Sequence, residues 1–479
     1  MYSNNRMKYE KKDTMKQEIL TKKNVYYTFC LRHYKIILFA LMTIILLLPV
    51  LMNQLGGNMS IMGAESYYHL HESENINVHN AYVVPISILT TFLPGQWASL
   101  IPLVLAMCSL LLVYRLQKKF KIQQKYIFFF TLFFIISPAF IYTFSTISAY
   151  AMYTFLFLIG FVLVTHTKTY LKIVAFVPFI LATTVDIFST FILLFSIFMY
   201  YITKVKKKKW VYTTLFIILS ILFIMNIFFQ QPFIVGPFHT EQIIPDLVSD
   251  LGGISGVSFF LILLSIIGTA LLWKMKRHPI YIMALFCIIS YSIRTHSIFF
   301  MSIIICFFAT VAFMKTFERT WTLHDVKKIT FFVFFLGLAF STLTYIDRID
   351  QIGLSNADNE VLTWIKTNTP QDTIIFSIEE NSDYIRHIAD REPFSSRSHN
   401  TLARDASVSI LNATYIQDLF PILEENDITL IYINQNMKER LEENQGFLFL
   451  LKNERFKLTH SHEGSEVWTF IDGDTFQTS

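Results

Sequence analysis

Charge is scarce in this chain. Only 16% of its 479 residues are Asp, Glu, Lys or Arg, where soluble globular domains carry about 25%, and the shortfall argues against an ordinary soluble enzyme. Cysteine is scarce as well: Cys30, Cys108, Cys287 and Cys306 all fall in or near apolar runs. None follows residue 347, so no disulfide framework staples the polar C-terminal segment. The chain has no CxxC, HExxH, G-x-S-x-G, Walker loop or G-x-G-x-x-G. Thiol redox, zinc peptidase, nucleophile-elbow and nucleotide chemistries therefore have no support, and no nucleic-acid partner is expected. Paired Gly/Pro-broken spans of the kind that mark inverted-repeat transporters are missing too. The lysine-rich N-terminal stretch lacks a small-residue cleavage site, which argues against a removable signal.

Apolar residues, by contrast, are abundant: 53% of the chain is hydrophobic and 48 residues are Phe. They come in blocks such as 36–52, 97–113 and 211–229, and ~17 or more such residues suffice for a helix to cross a hydrocarbon core of ~30 Å. The blocks do not alternate as barrel strands would. The fold class expected is a polytopic α-helical membrane protein with about eleven spans. These are roughly 36–52, 97–114, 126–143, 149–165, 171–183, 187–202, 211–229, 256–273, 279–293, 297–314 and 329–345.

The formal charge of +5 hides an asymmetry. Lys/Arg clusters at 8–35, 115–125, 168–172, 204–209, 274–277 and 315–328 occupy every second connection, while 53–96, 145–148, 183–186, 230–255 and 294–296 are poor in them. The positive-inside rule puts the first set in the cytoplasm. A basic cytoplasmic tail (1–35) then leads into a transmembrane domain (36–346) with outer loops 53–96 and 230–255. An odd number of spans places the C-terminal segment 347–479 outside, and the plasma membrane of a prokaryote is the expected location.

That segment is polar and acidic, and it reads as one extracytoplasmic α/β domain. Helices are expected at 357–367, 414–425 and 437–451, strands at 373–378 and 428–433, and a closing strand pair at 456–459 and 466–471.

The chemistry-bearing residues cluster in the stretches assigned to the outside. G-A-E-S-Y-Y-H-L at 63–70 follows the first apolar run, and Glu65, His69 and Glu72 share one face if 64–75 is helical. A carboxylate and an imidazole so placed can hold a divalent cation of the Mg²⁺ or Mn²⁺ kind. Tyr67, Tyr68 and Leu70 would then contact the membrane interface; the alternative is a solvated loop with an aromatic anchor. Arg294 stands alone in S-I-R-T-H-S at 292–297. A lipid phosphate, which guanidinium binds bidentately, is one partner for it, and an outer carboxylate such as Asp250 is the other. Asp246 and Asp250 precede a glycine-rich stretch that also reads as a flexible connector, and Asp186 lies where two short spans meet at the outer interface.

This order of features resembles the GT-C membrane glycosyltransferases, and most closely the catalytic subunit of oligosaccharyltransferase in its archaeal and bacterial forms. The match rests on the acid-x-Tyr-Tyr-His stretch after the first span, L-V-S-D at 247–250, Arg294 before a late span, W-I-K-T-N-T-P-Q-D-T-I-I-F at 364–376 and I-A-D-R at 388–391. The resemblance implies that Glu65 and Asp250 are the catalytic acids and that Glu65, His69 and Asp250 hold a divalent metal. It also implies that Arg294 binds the donor phosphate. The chain departs from the pattern twice. F-S-I-E-E-N-S-D-Y at 376–384 stands where a Trp-Trp-Asp-Tyr-Gly signature belongs, and F-S-T-I-S-A-Y at 144–150 lacks the second acidic motif. The implied activity is transfer of a sugar or glycan from a polyprenyl-phosphate-linked donor to an acceptor of unknown identity at the outer face of the bilayer. The alternative is a non-catalytic membrane protein that binds or handles lipid-linked glycan in envelope assembly.

Overall fold

The computed structural model describes residues 32–56, 58–76, 80–204, 209–229, 247–253, 256–273, 278–293, 297–350, 353–394, 401–441 and 446–471. Five of its helices are long and apolar enough to cross a membrane: α1 (Arg32–Leu55), then Gly95–Phe120, Trp210–Phe228, Ile298–Glu318 and His324–Ile349. A sixth candidate is the pair Gln124–Ile135 and Pro138–Ser145, bent by 68° at the break. The bend has a local cause: Pro138 has no N–H to continue the first helix, and the Ser137 hydroxyl donates to the Phe134 carbonyl at 2.7 Å.

The other expected spans are shorter helices: Ala149–Val164, Thr169–Thr183, Ile187–Ile202, Phe259–Trp273 and Ile280–Ser292. Among the described residues, five or six helices meet the length and composition needed to cross, and the expected eleven spans are not confirmed. A further apolar helix, Ala81–Phe92, lies inside the stretch expected as a loop.

Two compact units are assembled from interleaved segments. One takes its described residues from Met1–Leu46, Leu110–Ile141 and Gly236–Tyr345, the other from Leu47–Ser109, Tyr142–Val235 and Ile346–Ser479. The first unit is packed by rings: Phe129, Phe133, Phe331 and Phe334 surround Phe313. A Cβ at Gly268 would stand 2.0 Å from the Phe308 carbonyl oxygen, so helices Phe259–Trp273 and Ile298–Glu318 meet backbone to backbone.

The second unit contains a five-stranded sheet: β1 (Ile374–Phe376), β2 (Glu392–Pro393), β3 (Ile428–Ile433), β4 (Phe456–His462) and β5 (Ser465–Phe470), in the order β2-β1-β3-β5-β4. β1 runs parallel to β2 and β3, and β5 antiparallel to β3 and β4. Buried Phe376, Leu419, Leu423, Ile431, Ile433 and Phe447 form the core beside it. Helix Asn356–Asn368 starts where expected because Ser355 caps it, accepting from the Asp358 N–H. The helix expected over 437–451 is instead two pieces, Gln435–Arg440 and Phe447–Leu450. Leu441 is extended and Gly446 takes φ 73°, and neither conformation continues a helix.

Candidate functional site

The helix that carries the G-A-E-S-Y-Y-H-L residues is α2 (Ala64–Glu74). Its sequence is too polar to form by burial of an apolar stripe alone. An acid in the first turn, Glu65, and a histidine in the last, His71, suit the helix dipole. Its start is set by Gly63, at φ 73° and ψ 144°, a backbone conformation that belongs to glycine. Residues before it are pinned too: Met59 N–H donates to the Leu354 carbonyl at 3.1 Å, and Met62 bridges to Gly353.

One face of α2 carries Glu65 and His69. Glu65 Oε1 lies 3.5 Å from His69 Nε2, and it accepts the Ala149 N–H at 3.3 Å. His69 Nδ1 lies 3.3 Å from the Tyr82 hydroxyl, and the two rings meet edge to face at 5.5 Å. The ring of His69 is 3% exposed and Tyr82 is 5% exposed, whereas the Glu65 side chain keeps 18%. One turn further, Glu72 accepts from Asn80. Burial, joined by the charges of Glu65, Glu72 and Asp186, pushes the Tyr82 phenol well above its usual range, so it stays protonated.

The turn ahead of Ala149–Val164 is held from three sides. Ser66 Oγ accepts the Ile147 N–H at 2.9 Å, Glu65 accepts from Ala149, and the Tyr150 hydroxyl donates to Asp186 Oδ2 at 2.8 Å. Asp186 is 5% exposed and its Oδ1 accepts the Ser189 N–H, capping the helix that starts at Ile187. The stretch at 144–150 has no acid of its own, yet carboxylates from two other elements bind it.

The opposite face of α2 is covered by protein. Tyr67, expected at the membrane interface, is 2% exposed. It meets Tyr384 at 5.0 Å and His387 at 5.7 Å, both edge to face. Leu70 is buried as well. The reason is the segment that replaces the expected signature. After β1 the chain forms a 3₁₀ turn (Glu379–Asn381), one helical turn (Ser382–Tyr384) and a π turn (Ile385–Ala389). The segment is anchored to the sheet region by Asn381, which donates to Ser377 Oγ at 2.9 Å and accepts from Asn434 at 3.0 Å. Asp383 and Arg386 both lie near enough to act on the Tyr68 phenol.

The remaining expected residues fall elsewhere. Asp250 belongs to the other compact unit. There its Oδ2 accepts the Phe259 N–H at 2.8 Å and its Oδ1 accepts from Ser341, an arrangement that caps the helix beginning at Phe259. Arg294 lies outside the described residues, as does Asp246. Among the described residues no group of three or more His, Cys, Asp and Glu is placed to hold a metal ion. Tyr82, Tyr150 and His387 join this site without having stood out in the sequence, and Asp186, read there as an interface residue, joins them. Only Asp186 carried a readable signal: an acid three residues ahead of Ser189, at the start of an apolar helix, is an N-cap pattern.

No family model and no curated protein sequence matches the chain. Its fold, however, is similar to that of solved structures of the oligosaccharyltransferase of Archaeoglobus fulgidus. With the form tethered by a disulfide to an acceptor peptide containing the NVT sequon, the TM-score is 0.55 at 11% identity, over 93% of this chain and 75% of that one. With the apo form it is 0.55 at 11% identity, over 92% and 75%. With the complex containing Zn and sulfate it is 0.50 at 12% identity, over 91% and 73%. The likeness is one of fold and extends over most of both chains.

Proposed function

We propose that the protein is a GT-C-type membrane glycosyltransferase that moves a sugar or glycan from a polyprenyl-phosphate-linked donor to an acceptor at the extracytoplasmic face. The observation that carries this reading is the oligosaccharyltransferase fold over 93% of the chain, combined with Glu65 at the head of α2, partly open among otherwise buried neighbours.

Glu65 brings a negative charge to the mouth of this cluster, and its Oε1 is steadied by the Ala149 N–H and the His69 ring. Asp186 adds a second carboxylate to the same surroundings, fixed by Tyr150 and the Ser189 N–H. A cation that takes one protein carboxylate, such as that of Glu65, and completes its sphere with water and phosphate oxygens has the habit of Mg²⁺ and Mn²⁺. When bound, it would neutralise charge on the departing phosphate. Glu65 is the residue to hold it. Asp250 as a further acid and Arg294 as the phosphate-binding group remain part of the proposal on the strength of the family resemblance. Tyr67, Tyr384 and His387 close the other face of α2 and hold Glu65's helix against the segment at 376–384.

The test uses membranes containing the full chain and a polyprenyl-phosphate-linked sugar. Transfer that stops with chelator, returns with Mn²⁺ and is lost in Glu65→Ala supports the reading. Transfer unaffected by Glu65→Ala overturns it. Binding of the lipid-linked sugar without any transfer, indifferent to chelator, would point instead to a protein that only handles lipid-linked glycan.

A further inference from the structure

Arg391 is a buried guanidinium that the proposed chemistry does not use. It is 8% exposed, and each of its three nitrogens donates to an oxygen of the protein. Nε donates to Thr369 Oγ1 at 3.1 Å. One terminal nitrogen donates to the carbonyls of Ala389 and Asp390 at 3.3 and 2.8 Å, the other to those of Lys366 and Thr369 at 2.8 and 2.6 Å. These contacts match the five N–H donors of a guanidinium, and every acceptor is a neutral oxygen. The Lys366 and Thr369 carbonyls lie at the C-terminal end of helix Asn356–Asn368, where unpaired carbonyls and the negative end of the dipole favour a cation. The Ala389 and Asp390 carbonyls close the π turn Ile385–Ala389. Turns of this kind are rare and occur often at functional sites. This one ends on Asp390 in the left-handed region, at φ 54° and ψ 44°, a conformation that glycine enters more cheaply than any other residue. Such a backbone persists where its surroundings over-determine it, and the grip of Arg391 on both carbonyls does so here.

The turn so held faces α2. His387, inside it, meets Tyr67 at 5.7 Å and His71 at 6.5 Å, ring edge to ring face. Tyr384, just before it, meets Tyr67 at 5.0 Å. Tyr67 and Glu65 belong to the same helix, so whatever places one places the other. Resting on the reading of Glu65 as the acid of the site, we infer that Arg391 is a positioning residue: it latches the π turn to the end of Asn356–Asn368, and through Tyr384 and His387 the turn sets where α2 and Glu65 stand. Lysine cannot do the same, because an ammonium offers three donors and no planar fork.

The tests use the full chain purified in lipid nanodiscs, and the first needs neither sugar nor metal. Hydrogen exchange is followed by mass spectrometry over 64–74, 362–373 and 379–391. Arg391→Lys should speed exchange in all three by about 10-fold or more, the scale for losing one or two hydrogen bonds to a charged group. Adding Asp390→Gly should recover most of the protection of 64–74, since glycine holds the left-handed turn unaided. His387→Ala leaves the latch and cuts its link, so exchange should rise over 64–74 and stay as in wild type over 362–373. Unchanged protection of 64–74 in Arg391→Lys or in His387→Ala overturns the inference, as does a double variant that recovers nothing. The second test measures transfer from a polyprenyl-phosphate-linked sugar at a temperature where the variants are folded. Arg391→Lys should lower kcat about 10- to 100-fold, the scale for a small misplacement of a reacting group, with KM for the lipid-linked sugar little changed, and Asp390→Gly should restore it. A kcat per folded molecule equal to wild type makes Arg391 a clamp for stability alone and overturns the inference. If wild-type protein transfers no sugar, the proposed function fails, and the exchange rates alone decide whether the latch holds α2.

Discussion

Two carboxylates in the same compact unit are built in opposite ways. Asp358 is 8% exposed and saturated with donors: the Tyr432 hydroxyl at 2.7 Å and the Ser465 hydroxyl on Oδ1, and the Ser355 hydroxyl at 2.8 Å on Oδ2. It joins the first turn of Asn356–Asn368 to β3 and β5. Glu65 keeps 18% of its side chain open, and its contacts with Ala149 and His69 are long, at 3.3 and 3.5 Å. A carboxylate whose lone pairs are spent on short bonds to hydroxyls holds a fold together. One that keeps part of its side chain exposed can be reached by a ligand from outside.

The contrast is sharpest at Glu65 itself. Glu65→Gln should lower glycosyl transfer about 100- to 1,000-fold, the scale for removing a well-placed charge-stabilising group, with thermal unfolding of the purified protein changed little. A large drop in stability with transfer intact would reverse the two roles. Asp358→Ala should do the converse. Stranding the buried Tyr432 phenol and two serine hydroxyls should cost about 2–3 kcal/mol, read by protease resistance of the C-terminal segment against denaturant, while Mn²⁺ affinity stays as in wild type. Tyr150→Phe removes one neutral donor from the Asp186 carboxylate. About 1–2 kcal/mol of stability should go with it, and Tyr150→Phe and Asp186→Asn together should cost less than the sum of the two, since they act on one bond.

The smallest effect is expected at His387, on the covered face of α2. Burial pushes its imidazole below the ordinary value, with the nearby His71 and Lys366 adding to the shift and Glu74 opposing it. The unfolded chain therefore takes up this proton first as pH falls. The stability His387 confers is present above about pH 6.5, the usual histidine value, and is lost as pH falls from there through the lower folded-state value. His387→Gln should flatten that part of the stability–pH curve, and an unchanged slope would show that another group sets it.

Much of this was legible in the residues. The 63–70 stretch pointed to a helix bearing Glu65 and His69 on one face, and α2 has both. The strand at Ile428–Ile433 and the helix at Asn356–Asn368 follow from a β-branched run and a Ser-x-x-Asp start, both local signals. Elements specified by distant contacts were not legible. Tyr67 reads as an interfacial aromatic because nothing nearby in sequence announces Tyr384 or His387. Asp186 reads as a boundary residue because its partner Tyr150 lies on another helix. The stretch 144–150 has no acid of its own, and in three dimensions Glu65 accepts the Ala149 N–H and Asp186 accepts from Tyr150. The two-residue strand Glu392–Pro393 lacked a pattern long enough to notice, and the helix Thr401–Leu411 was missed although it is as long as the helix read at 357–367.

Gly63 carries a consequence for mutational tolerance. At φ 73° and ψ 144° its backbone admits no Cβ without strain, so every amino acid that could replace it would have to turn the start of α2 to a new heading. In a saturation screen scored on activity, position 63 should therefore be as intolerant as position 65, although it offers no chemical group. Its contribution is a direction, and an inventory of functional side chains would pass over it.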